Sequence, residues 1–164
     1  MIVGVVSDTH GYYHPELDNA FANVDHIFHA GDVGNLEIID RLSLLAPTSA
    51  VWGNIDGAAV RRETPEYQRV VLDGVQFLMT HIAGKPGKIR PDPAKKIAQH
   101  RPDVFICGHS HILQVDRLNI ANRPLFVNPG AAGQQGLHRI KTCVRLMLKD
   151  GNLSNAEVIH LDGD

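Results

Sequence analysis

Apolar positions along the chain fall into runs of two kinds. Short unbroken runs at residues 2–6 and 104–107 read as buried strands, and residues 26–32 as another that ends in a glycine and an acid. Between the early runs, Leu17, Ala20, Phe21 and Val24, then Leu36, Ile39 and Leu42, recur at helical spacing and predict two helices. His14-Pro15-Glu16 opens the first, and Asn35 caps the second before Pro47 stops it. Residues 49–52 form a third strand, and this βαβαβ rhythm implies a parallel sheet with right-handed crossovers. From Gln68 the pattern changes. Residues 70–72 and 75–79 flank Asp73-Gly74, a strong hairpin signal. Residues 84–90 read as an exposed loop, and Asp92-Pro93 starts a helix with Ala94, Ile97 and Ala98 on its inner face. Residues 113–161 are mostly strands, with turns at residues 119–122 and Asp150-Gly151 and a glycine-rich loop over 128–136. No repeat or linker divides the chain, so a single α/β domain over residues 1–164 is expected.

Composition narrows the function classes. The chain is 43% apolar and 21% charged, ordinary for a globular protein. A net charge of −2 carries no overall electrostatic footprint for nucleic acid. Cys107 and Cys143 are too few for a disulfide framework, and Cys107 sits in an apolar run as a small buried side chain. No charged leader or membrane-length apolar stretch precedes the first strand, and a cytoplasmic location with no membrane partner is expected. Ten histidines are the compositional oddity.

Five apolar runs end in metal-competent residues: Asp8 and His10, Asp32, Asn54, His81, and His109 with His111. Asp8 and His10 are two apart, so an extended backbone sends both side chains to one face. Ligands of α/β sheets gather in the crevice at the strands' carboxyl ends, so these seven side chains are expected to converge. Seven exceeds the four ligands of a zinc ion. Two ions sharing a carboxylate account for them, an arrangement that clamps the attacking and leaving oxygens of a phosphoester with the ions about 3.5–4 Å apart. Taken singly, each residue has a bland alternative: Asp8 or Asp32 as a helix cap, His81 as a surface residue. The other six histidines are assigned to strands, surface or loops, with His138 beside Arg139 within reach of a substrate phosphate.

Asp8-x-His10, Gly31-Asp32, Gly53-Asn54, His81 and Gly108-His109-x-His111, in that order, resemble the calcineurin-like metallophosphoesterases. The resemblance covers residues 1 to about 140 and points to the small bacterial and archaeal phosphodiesterase branch. It implies a four-layer α-β-β-α sandwich of two mixed sheets flanked by helices. It also implies that Asp8, His10, Asp32 and His111 hold one metal, and that bridging Asp32, Asn54, His81 and His109 hold the other. The expected activity is hydrolysis of a small phosphodiester by a hydroxide bridging two divalent ions, with Asp32 and Asn54 as catalytic residues. Manganese leads among the candidate metals, ahead of nickel, iron, zinc and magnesium.

Two positions depart from the family pattern. Many members carry a histidine directly after the Gly-Asn asparagine, where it protonates the leaving group; here Ile55 follows Asn54, and Asp56, with no imidazole to orient, is expected to fix the loop. The Asn-Pro-Gly-Ser turn appears as Asn128-Pro129-Gly130-Ala131 and loses a hydroxyl. The missing histidine is shared by small phosphodiesterases and by the retromer scaffold subunit of the same fold. A non-catalytic scaffold is therefore one alternative and a nuclease another, and homo-oligomerisation stays open.

Overall fold

The structure, a computed structural model, describes residues 1–163, so the last residue of the expected 1–164 domain lies outside the described residues. In chain order, β1 (Ile2–Val6), α1 (Leu17–Ala20), β2 (His26–His29), α2 (Leu36–Leu45), β3 (Thr48–Ala50) and α3 (Ala58–Glu63) come first. They are followed by β4 (Tyr67–Leu72), β5 (Val75–Thr80), β6 (Gly84–Lys85), β7 (Lys88–Ile89), α4 (Pro91–His100) and β8 (Val104–Ile106). β9 (Gln114–Arg117), β10 (Leu125–Asn128), β11 (Thr142–Lys149) and β12 (Asn152–His160) complete the order.

Ten strands form two mixed five-stranded sheets. The first runs β12-β11-β1-β2-β3, with β1, β2 and β3 parallel and β11 antiparallel to β1. The second runs β4-β5-β8-β10-β9, with β5, β8 and β10 parallel and antiparallel strands at both edges. Strand periodicity explains how they pack. Val3 and Val5 of β1 face Phe77 and Met79 of β5 and Val104 and Ile106 of β8 in one buried cluster between the sheets. Phe28 and Phe77 meet there with ring centroids 4.9 Å apart. Alternate positions point outward: Ile27 and Cys143 pack under Leu17, Ile38 and Leu42 of α1 and α2, while Leu78 and Phe105 pack under Ile97 of α4. Helix, sheet, sheet and helix give the four layers that the family resemblance implies.

Local departures have local causes. The first helix is one turn long, although Leu17, Ala20, Phe21 and Val24 are all buried. Asp25 ends it by exchanging hydrogen bonds with Ile2, its amide donating to the Ile2 carbonyl and its carboxylate accepting from the Ile2 amide, both at 2.7 Å. Residues 51–52 lie beyond the third strand, because the Trp52 amide turns away to the Pro65 carbonyl. In α4 the buried residues are Pro93 and Ile97, whereas Ala94 and Ala98 are exposed; the larger side chains set the helix rotation. Residues 84–90 are not a plain loop. Gly84 pairs with Ile89 and Lys85 with Lys88 in a two-stranded hairpin turned at Pro86-Gly87. Among the described residues, no helix is long and apolar enough to cross a membrane.

Candidate metal centre

The seven expected residues meet where both sheets present their strand ends, by a backbone route different from the extended one that the Asp-x-His spacing suggests. Asp8, His10, Asp32, His109 and His111 have φ of 55°, 47°, 52°, 72° and 61°, all in the left-handed region. Such a conformation costs an L-residue on the order of 1–3 kcal/mol and persists only where surroundings enforce it. Here the strand-end turns enforce it. The Asp8 amide donates to the Gly31 carbonyl and the His10 amide to the Asp32 carbonyl, both at 3.0 Å.

Two groups of side chains result, each with its ligand atoms within 4.8 Å of one another: Asp8, His10 and His111, and Asp32, His81 and His109. Asp32 Oδ2 lies 3.4 Å from His10 Nε2 and 3.2 Å from His81 Nε2, between the two groups. Asn54 Oδ1 lies 3.0 Å from His109 Nδ1, at the second group.

Each carboxylate is held by one oxygen and presents the other. Asp8 Oδ2 accepts from the Ser7 hydroxyl (2.6 Å) and the His109 amide (3.1 Å), while Asp8 Oδ1 faces His111 Nε2 at 3.1 Å. Asp32 Oδ1 accepts from the Ile55 amide at 3.1 Å, leaving Oδ2 to the centre. His81 donates from Nδ1 to the Ala30 carbonyl at 2.7 Å, which turns Nε2 inward. Burial alone would raise both carboxyl pKa values, yet both end below the usual range. Contacts with His10 and His111 and the charge of His81 outweigh burial at Asp8, and His81 does so at Asp32. The same attractions appear from the other side: contact with Asp8 raises His10, and Asp32 and Asp8 lift His81 above its usual value against the effect of burial.

The donor set fits divalent cations on an observation independent of spacing. Asp8 Oδ1, His10 Nε2 and His81 Nε2 are buried and make no hydrogen bond, an expensive state for three polar atoms pointed at one another. Cations that accept lone pairs from carboxylate and imidazole, one at each group, satisfy all three.

Residues outside the seven hold the loops. Asp56 accepts from the Val33, Gly34 and Gly53 amides at 3.1, 2.8 and 2.8 Å, so it clamps the Asp32 loop to the Asn54 loop. Arg61, on a helix too short to announce itself by periodicity, donates to the Asp56 carbonyl at 2.6 Å and stacks over Trp52. Asn128 donates to the Gly108 carbonyl and the Ser110 hydroxyl, both at 3.0 Å, and so braces the loop that carries His109 and His111. Beneath the centre, the Thr9 hydroxyl donates to the Val33 carbonyl and accepts from His29 Nε2, both at 2.9 Å. His29 Nδ1 accepts from the Gly31 amide at 3.2 Å, so the ring is neutral and structural, in accord with burial pushing its pKa down to about 4. Two glycines admit close approach: a Cβ on Gly53 would collide with Asp32 and lie 2.8 Å from His81 Cδ2, and one on Gly108 would collide with the Ser7 hydroxyl and lie 2.7 Å from Asp8 Oδ2.

Comparison with known proteins identifies the family. Residues 1–151 match the calcineurin-like phosphoesterase superfamily domain. The chain belongs to that superfamily. It is 36% identical over 137 residues to a probable metallophosphoesterase of Methanocaldococcus jannaschii, covering 80% of this chain and 68% of that one. An archaeal phosphodiesterase of known structure superposes with a TM-score of 0.72 at 26% identity, covering 97% of this chain and 100% of that one. Vps29 from Entamoeba histolytica, solved with zinc, superposes with a TM-score of 0.73 at 20% identity over 98% and 99% of the two chains. At that identity the last likeness speaks for the shared metallophosphoesterase fold alone.

Proposed function

We propose that this metallophosphoesterase hydrolyses small phosphodiesters with two divalent cations, manganese first among them. The observation that carries the reading is the pair of three-residue groups with Asp32 Oδ2 between them. Asp8, His10, Asp32 and His111 would hold one cation, and Asp32, Asn54, His81 and His109 the other. When bound, the pair neutralises and polarises the phosphate and acidifies the attacking water. The mixture of imidazole nitrogen with carboxylate and amide oxygen favours manganese, iron(II), nickel or zinc over calcium or magnesium.

The chain's own residues do the rest. Asp8 and Asp32 stay ionised and set the negative charge that the cations answer. With Asn54 Oδ1 toward His109, the amide nitrogen of Asn54 is left to donate to a phosphate oxygen. At position 55 the backbone amide anchors Asp32 while the isoleucine side chain is 46% exposed and offers no proton. Diesters and activated leaving groups suit such a site, since neither needs strong protonation on departure.

A scaffold reading retains one observation of its own: an exposed apolar groove of about 380 Å³ between α4 and the β9–β10 turn, lined by Ile97, Ala98 and Ile120. Metal analysis of the purified protein, with hydrolysis of an aryl phosphodiester panel before and after chelation, separates the two. Bound metal with chelator-sensitive turnover, restored by manganese at least as well as by magnesium, is expected. Metal-free, inactive protein would leave the scaffold reading.

A further inference from the structure

The net charge of −2 conceals a local concentration. Residues 84–101 hold six of the sixteen lysines and arginines and a single acid, Asp92. Lys85, Lys88 and Arg90 line a cleft of about 410 Å³ whose far wall includes Gly108 and His109, so it opens directly beside the candidate metal centre. All three cations are exposed, and none has a carboxylate partner among the described residues.

The hairpin itself adds an independent sign. Lys85 and Lys88 are directly opposed in the β6–β7 pair, on one face of a two-residue turn. Like charges in that relation repel, and an anion seated between them turns the repulsion into attraction. Ile82 and Ile112 line the same cleft, and Ile112 is 64% exposed; they offer an apolar surface between the hairpin and His109. A cleft of this size holds a small molecule.

We propose that the β6–β7 hairpin is an anion clamp, and that the substrate is a nucleotide-like phosphodiester carrying a second phosphate on one arm. The scissile group sits at the metal centre, the second phosphate between Lys85 and Lys88 with Arg90, and the ring body over Ile82 and Ile112. This rests on the phosphodiesterase reading above. A nucleic acid polymer is the weaker fit because the cleft on the Asn54 side is not basic. Its Arg61 is already engaged by the Asp56 carbonyl and Trp52, and Glu66 lines it too.

The test uses the full chain and two binding probes, thymidine 3′,5′-bisphosphate and thymidine 5′-monophosphate. The bisphosphate is expected to bind about tenfold more tightly, and the Lys85→Ala/Lys88→Ala variant to reduce that ratio to about one. Lys85→Arg/Lys88→Arg keeps the charge and should keep the ratio. Equal affinities in the wild-type protein, or a ratio untouched in the alanine variant, would overturn the clamp. Turnover is read separately on thymidine 5′-(p-nitrophenyl phosphate) with and without a 3′-phosphate. A preference in KM for the bisphosphate form, lost in the alanine variant, places the clamp in the reaction. If neither ester is hydrolysed while the binding ratio persists, the phosphodiesterase reading fails and the clamp stands. A long single-stranded oligonucleotide binding far more tightly than the bisphosphate, with steep salt dependence, would overturn the small substrate in favour of a polymer.

Discussion

The two sheets contribute unlike chemistry to the centre. Loops after β1, β2 and β3 of the first sheet bring Asp8, His10, Asp32 and Asn54, so every oxygen donor comes from there. Loops after β5 and β8 of the second sheet bring only imidazoles, His81, His109 and His111. Yet each of the two ligand groups draws on both sheets, since His111 joins Asp8 and His10, and Asp32 joins His81 and His109. Neither sheet carries a complete set. The centre is a property of their packing, and hydrogen bonds from the His109 amide to Asp8 and from His81 to the Ala30 carbonyl cross the same gap.

The largest effect expected from breaking this asymmetry is Asp32→Asn. Asp32 Oδ2 lies 3.4 and 3.2 Å from His10 and His81 of the two groups, closer to both than Asp8 Oδ1 at 3.8 Å from each, and an amide keeps the shape while losing the charge. A fall in kcat/KM on the order of 10³-fold is expected, with loss of one metal equivalent by elemental analysis. Retention of both metals and of rate would show that Asp32 is not the shared group.

Attacking the packing instead of the ligands comes next. Phe77→Ala removes a side chain that meets Phe28 across the sheets and should cost about 3–5 kcal/mol by denaturant titration. Added manganese should recover part of that loss, because its ligands come from both sheets. No recovery would mean that the centre does not couple them.

A smaller structural change, Gly108→Ala, drives a methyl group into the Ser7 hydroxyl that holds Asp8 Oδ2, and toward Asp8 Oδ2 itself. Overpacking there should cost about 1–3 kcal/mol and weaken metal binding together with stability. An unchanged melting temperature would show that the close approach of the second sheet's loop to Ser7 and Asp8 is not a tight constraint.

Proton linkage gives a milder but signed effect. Asp8 and Asp32 have lowered folded-state pKa values, so their contribution is present above about pH 4 and is lost as pH falls through the folded values. His10 and His81 are raised, so theirs is complete below about pH 6.5 and is lost as pH rises through the folded values. These are two views of one set of attractions and are counted once. His29, His26 and His109 are lowered by burial and pull the other way, so the contribution of the raised pair is read as the gap in melting temperature between the wild-type protein and His81→Ala, which in chelated protein should be wider at pH 5.5 than at pH 8. Manganese should reverse the order, because it competes with protons for the imidazoles. The same pH trend with and without metal would separate the histidines from the metal.

The smallest change is expected at the rim. Ile55→His should help alkyl esters more than aryl ones, by well under the roughly 10²–10⁴-fold of a fully positioned acid, because Asp56 is committed to three amides and cannot orient the new ring. His138, whose Nε2 donates to the Gly133 carbonyl and whose ring stands 5.1 Å from His111, is the alternative proton source. If His138→Ala steepens the dependence on leaving-group pKa, the proton comes from His138.

Much of this protein was legible in one dimension, for identifiable reasons. Runs such as residues 2–6 and 104–107 declare buried strands because hydrophobic periodicity is local, and the seven metal-competent residues stand out because each follows such a run. α3 was not legible, since Val60 is its one buried residue and six residues carry no period. The left-handed backbone at Asp8, His10, Asp32, His109 and His111 had no signature either, because non-glycine residues enter that region under tertiary constraint. That Asp56 fixes its loop was legible from the missing imidazole, whereas its Val33 and Gly34 partners and the roles of Arg61 and Asn128 emerged only in the fold, at 2.6–3.1 Å. Nor could a total charge reveal that Lys85 and Lys88 face each other beside His109. Composition sums over the chain, whereas an electrostatic field depends on where the charges are placed. The sequence by itself determined which chemistry the strand ends could offer. The tertiary structure decided that oxygen donors from one sheet and imidazoles from the other share a centre, because only sheet packing converts separation along the chain into contact.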